Sequence, residues 1–153
     1  MPPALRSLLL PLVLVPWLGA CVTALTEDEV EDRLEVAAKP VASVRPRRVI
    51  PIYAETSFVA KALLTEARVN TESPLSVSVS RRMEIAAQRR LQVVVGGPYP
   101  DLTDQVVTNA LRLQQEKGLR GATLVFVSPQ RPSAQLLEAA KQAQARLYHR
   151  EFR

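Results

Sequence analysis

One cysteine and one histidine stand among the 153 residues of this chain. An internal disulfide needs two cysteines. A Cys/His zinc site or an iron–sulfur cluster built within one chain needs three or four ligands. All three are excluded. Aromatic residues make up only 5%, too few for a surface that stacks nucleic-acid bases. Glycine is scarce, five against twelve prolines, so the connections are stiff. No tract has low complexity and none repeats at a fixed period. What is there is 47% hydrophobic and 23% charged, which suits one modest core and argues against disorder throughout. The length fits one domain, or one domain with appendages.

Residues 1–21 read MPPALRSLLLPLVLVPWLGAC. Arg6 and the amino terminus are positive, and Ser7 to Trp17 is an apolar run broken by Pro11 and Pro16. Spanning a bilayer takes ~20 apolar residues, so a run this short reads as a signal-peptide core. Leu18-Gly19-Ala20-Cys21 resembles the lipobox of bacterial lipoproteins. That resemblance implies a diacylglyceryl group on the Cys21 thiol, cleavage before Cys21, and acylation of the new amine, commonly by palmitate. Two or more acyl chains anchor a protein stably where one does not. By the same resemblance, Val22 is not the aspartate that retains lipoproteins in the inner membrane. The expected address is the outer membrane, facing the periplasm. An unpaired cysteine in an oxidising compartment calls for an explanation, and lipidation supplies one. The plain alternative is an ordinary secretory peptide cut near Ala20. The expected division is a signal peptide over 1–20, a lipidated acidic tether and basic linker over 21–48, and an α/β domain over 49–153.

Charge is uneven along the chain. Residues 22–38 hold six acids and one base, whereas 39–153 hold 18 bases and nine acids. Thr26 as N-cap and Glu29 three residues on form a capping-box signature. Only Val30, Leu34 and Ala37 make an apolar stripe, which predicts a short solvated tether helix, or a segment docking on a basic surface such as this protein's own domain. Pro40 and Pro46 then interrupt a basic linker.

From residue 49 the pattern alternates strand and helix. Val49–Tyr53 predicts a strand placed at a sheet edge by Pro51. A helix starts at Ser57 with Phe58, Ala62, Leu63 and Ala67 on one face. Leu75–Ser80 alternates apolar and polar strictly, the period of a half-buried strand. Arg81–Arg90 fits either a short helix or a hairpin arm. Leu91–Val95 and Ala122–Val127 read as continuous apolar strands, covered on both faces. Between them lies a helix capped at Asp101, with Leu102, Val106, Ala110 and Leu113 on one face and Gly118 closing it. Ser133 starts the last helix, with Leu136, Ala140, Ala143 and Leu147 as one seam. The expected fold is α/β, a small three-layer sandwich with a mostly parallel sheet and right-handed crossovers.

The turn Gly96-Gly97-Pro98-Tyr99-Pro100-Asp101 sits where ligands bind in open α/β sheets. It matches neither phosphate-binding glycine pattern. Two prolines remove amide donors, and Asp101 puts a carboxylate where a phosphate would sit. His149 reads as a surface residue near a fraying helix end, and no pair of acids stands out for acid–base work. No cofactor, metal or catalytic constellation is expected. Arg81, Arg82, Arg89 and Arg90 form basic clusters; on a helix, Arg82 and Arg89 share a face. With Tyr99 they are candidate partner-binding residues for an acidic protein surface or a polyanion such as lipopolysaccharide. Solvated arginines beside a buried strand are the plain alternative.

The functional expectation is a non-enzymatic binding or assembly lipoprotein of a cell-envelope machine. It would hold the membrane through Cys21 and meet a protein partner, not nucleic acid, with its oligomeric state open. In hydrophobic rhythm and in Val127-Ser128-Pro129, residues 91–153 resemble pilus-assembly lipoproteins of the tight-adherence type. The strand–helix–strand rhythm of Leu91–Val127 is also similar to the OmpA-like peptidoglycan-binding domain. In that family an aspartate and an arginine hold diaminopimelate, and the nearest positions here are Asp101 and Arg112. A periplasmic enzyme with an unrecognised acidic site is the third reading.

Overall fold

The computed structural model describes residues 24–41 and 46–153. The lipobox with Cys21, and residues 42–45 of the basic linker, lie outside the described residues. Five helices and four strands follow in the order α1 (Glu27–Ala38), a short 3₁₀ turn (Lys39–Val41), β1 (Arg47–Pro51), α2 (Ser57–Val69), α3 (Pro74–Gln88), β2 (Gln92–Gly96), α4 (Pro100–Arg112), β3 (Thr123–Val127), α5 (Ala134–Gln142) and β4 (Arg146–Arg150). The strands form one sheet in the order β1-β2-β3-β4, and every neighbouring pair is parallel. This is a small three-layer α/β sandwich.

Sequential strand order with crossovers of one hand puts every crossover helix on the same face. The core bears this out. Ile50, Val93, Val95, Leu124 and Phe126 point to that face and pack with buried residues of α2, α3, α4 and α5. The other face carries Val49, Val94, Val125 and Val127, and they pack against Val30, Leu34 and Ala38 of α1. The stripe expected on a solvated tether is therefore buried, with Val30 and Leu34 fully enclosed. Helix α1 is the third layer.

The capping box that starts α1 is complete. The Thr26 amide donates to Glu29 Oε2 at 2.7 Å, and the Glu29 amide donates to Thr26 Oγ1 at 3.3 Å. These bonds from the Thr26 backbone, then from its hydroxyl, hold the Glu29 carboxyl below the ordinary glutamate range. A depressed folded value contributes stability that is complete above the unfolded pKa and lost as pH falls through the folded one. We therefore expect fraying of α1 to begin in acid only below the ordinary glutamate range. Carbon-detected NMR titration of Glu29 checks this; a value at or above the ordinary one would contradict it.

Residues 75–80, expected as a strand, are the first turns of α3. The helix starts with Ser73 as N-cap and Pro74 in its first position, where a missing amide costs nothing. Its buried face is Ser76, Val79, Ser80, Met83 and Ala86, a helical spacing that includes two serines. They are tolerated inside because α4 and the turn after it supply partners. Asn109 Nδ2 donates to the Ala67 carbonyl at 2.7 Å and to Ser76 Oγ at 3.4 Å, and Gln114 Nε2 donates to Ser80 Oγ at 2.7 Å. The same helix runs on through Arg81 to Gln88, which excludes the hairpin arm.

The last helix also differs from expectation. It ends at Gln142, and Arg146–Arg150 form strand β4. Gln144, at φ 59°, takes the left-handed position that ends α5. Its amide donates to the Lys141 carbonyl and that of Ala145 to the Ala140 carbonyl, both at 3.0 Å, a Schellman closure. Leu147 thus belongs to the sheet, and His149 sits in a strand.

Candidate functional site

At the carboxyl end of the sheet the double glycine serves packing. A Cβ on Gly96 would collide with the Val127 carbonyl, and one on Gly97 with the Ile52 carbonyl. The close approach lets the Ile52 amide donate to the Gly96 carbonyl at 2.7 Å and the Gly97 amide to the Val127 carbonyl at 3.1 Å. Gly97→Ala should cost about 1–3 kcal/mol by forcing backbone apart, read as a lowered thermal midpoint; an unchanged midpoint would contradict this role. Asp101 is exposed and does not cap α4; the N-cap position is Tyr99, whose side chain makes no capping bond. Asp104 instead accepts from the Ser133 amide at 2.8 Å and its hydroxyl at 2.6 Å, fastening the start of α5. A strand order of 1-2-3-4 never reverses. The crevice that a reversal opens at the carboxyl end of a sheet is therefore not expected. The concavity beside the start of α4 measures about 180 Å³. A groove of about 840 Å³ between α1 and the end of β4, lined by Asp32, Arg131, Arg150 and Glu151 among others, mixes acids with bases.

The amino end of the sheet is different. A concavity of about 700 Å³ opens between the starts of β2, β3 and β4, lined by Arg90, Arg120, Arg146, Gln92 and Tyr148 among others. No acid lines it. The ion pairs among the described residues are Lys117 with Glu84 and Arg153 with Glu151, so the three guanidinium groups are unpaired there. Arginine stays protonated at any physiological pH. Such a cleft offers forked donors and positive charge to a carboxylate or phosphate.

Arg90 reaches this cleft from an unusual backbone. It stands at φ 57° after the end of α3, with its amide donating to the Ala87 carbonyl at 3.0 Å and the Leu91 amide to the Ala86 carbonyl at 2.9 Å. This is again a Schellman closure, where glycine is the ordinary occupant. A side chain in the left-handed region costs ~1–2 kcal/mol. Gln144 takes the same conformation after α5; what sets Arg90 apart is that its side chain lines the cleft.

The sequence-predicted residues separate. Arg90 lines the cleft. Arg81 and Arg89 are exposed on and just after α3. Arg82 is half-buried and donates through Nη2 to the Val49 carbonyl at 3.2 Å, sealing part of the β1 edge. Tyr99 is half-buried against the main core. Asp101 and Arg112 lie eleven residues apart on α4, about 16 Å along a helix rising ~1.5 Å per residue, so they do not converge on one ligand. The His149 ring nitrogen Nε2 lies 3.2 Å from the Ser128 carbonyl, and its ring packs 6.0 Å from that of Phe126.

Arg120 and Arg146 were missed because they are far apart in sequence. The usable signal was positional. An arginine stands within three residues of the start of each of β2, β3 and β4, and a parallel sheet gathers strand starts at one end. Among the described residues no group of three or more His, Cys, Asp or Glu is placed to hold a metal ion. None of their helices is long and apolar enough to cross a membrane. No family model, curated protein or solved structure matches the chain.

Proposed function

We propose that this protein is a lipid-anchored, periplasm-facing lipoprotein of the outer membrane, and that it binds or stabilises a component of a cell-envelope machine of pilus or secretion type. The Leu18-Gly19-Ala20-Cys21 motif supports the anchor. The observation that carries the binding role is the cleft of Arg90, Arg120 and Arg146, unpaired among the described residues, with Arg90 kept where glycine would be more stable. The partner presents carboxylates or phosphates to that cleft.

Arg90→Gly separates folding from binding. It should raise the thermal midpoint, because it relieves the left-handed backbone. Combined with Arg120→Ser and Arg146→Ser, it should cut the yield of envelope proteins retained by the full-length chain from detergent-solubilised membranes by at least about tenfold. The same proteins retained at the same yield by the folded triple variant would overturn the reading.

A further inference from the structure

The two edges of the sheet are treated differently. In a parallel ladder alternate residues bond to the same neighbour. On β1 the Ile52 amide bonds inward to the Gly96 carbonyl and the Pro46 carbonyl accepts from Gln92. Arg47, Val49 and Pro51 therefore face outward. Pro51 has no amide to offer, and the Val49 carbonyl is taken by Arg82. That edge is blunted in the way proteins use to prevent strand addition.

On β4 the Arg146 amide donates to Ala122, and the Arg150 carbonyl accepts from Ser128. Leu147 and His149 therefore turn their amides and carbonyls outward, and these bond to nothing among the described residues. The strand has no proline and no capping side chain. Its partly covered face shows Arg146, Tyr148 and Arg150, all exposed, in register with Thr123, Val125 and Val127. Its opposite face shows Leu147 and His149. Two acids lie near the carboxyl end, Glu151, already paired with Arg153 at 2.9 Å, and Asp32 across the groove on α1.

We infer that the β4 edge receives an extended segment of a partner protein as a fifth strand, and that this segment alternates acidic and apolar side chains. The inference rests on the binding-protein reading and names its partner. An added strand places one set of side chains beside Arg146 and Arg150 and the other beside Leu147. Acids fit the first row and apolar groups the second. A second copy of this chain does not fit. In the antiparallel register that uses both outward residues, Arg146 of each copy would lie opposite Arg150 of the other, a doubly repulsive pairing.

The test uses the full chain in detergent and three synthetic ten-residue peptides. One alternates glutamate and valine, the second alternates lysine and valine, and the third is the glutamate–valine peptide methylated on every backbone nitrogen. Amide hydrogen exchange is read at Leu147 and His149. The glutamate–valine peptide should slow both amides by at least about tenfold, and the other two should leave them unchanged. Absent slowing, or equal slowing by the methylated peptide, would overturn strand addition. If that happens while the cleft variants still lose their partner, the binding reading stands and this edge is not its site. If the cleft variants keep their partner as well, both fall.

Discussion

Leu34→Asp should unfold the domain. Leu34 has no exposed surface and sits on α1 against Val49, Val94, Val125 and Val127. An aspartate there would hold a charge among apolar side chains with no cation to pair it. Burying an unpaired charge costs several kcal/mol, and whole domains are stable by only about 5–15 kcal/mol. Leu34→Ala, which leaves a cavity, should cost about 2–5 kcal/mol. Exposed Glu31→Ala should stay within about 0.5 kcal/mol of the parent. Urea unfolding followed by circular dichroism measures all three. A cooperative transition for Leu34→Asp at the parent's midpoint would mean that α1 is not a layer of the fold. The functional consequence is geometric. If α1 is integral, only residues 22–24 separate Cys21 from packed structure, because Leu25 already packs against the α1 cluster, and a lipid there would hold the domain against the bilayer instead of on a long tether.

Asn109→Ala should be costly on the other face. Its amide is the donor that the Ala67 carbonyl and Ser76 share, and its Oδ1 accepts from Gln105 Nε2 at 3.1 Å. Removing it leaves a buried carbonyl and hydroxyl without that donor and opens a small void. The expected loss is about 2–4 kcal/mol. Pairing the change with Ser76→Ala should recover part of it, because one orphaned group disappears. A loss below about 0.5 kcal/mol, the level of an ordinary surface substitution, would show that the network does not hold α2, α3 and α4 together.

The parts of the fold legible in the sequence are those whose apolar pattern is self-sufficient. Strands β2 and β3 are continuous apolar runs, α4 shows its face, and Thr26 with Glu29 announces α1. Two elements were misread for reasons that sequence alone conceals. Residues 75–80 look like a strand because the serines that face the core are counted as polar; only Asn109 and Gln114, more than thirty residues on, make them internal. Strand β4 was joined to the preceding helix because the left-handed residue that ends α5 is Gln144, so the usual glycine stop signal is missing. The face of α2 was legible in part: Ala67 and Leu63 meet the core as expected, whereas Phe58 is 80% exposed, Ala62 is exposed, and Ala60 takes the buried place. Of the candidate site, one arginine in three was legible. Arg90 belonged to a visible cluster, whereas Arg120 and Arg146 join it only once the sheet has set its strand starts side by side.

The anchor is the claim on which orientation, compartment and partner all depend. Its most direct test is the intact mass of the chain extracted from membranes, beside that of Cys21→Ser. The expected result is a polypeptide beginning at Cys21 and carrying diacylglyceryl and amide-linked acyl mass, with both the lipid and the membrane association lost in the variant. A chain cut near Ala20 without lipid, or an uncut chain still carrying residues 1–20, would contradict it.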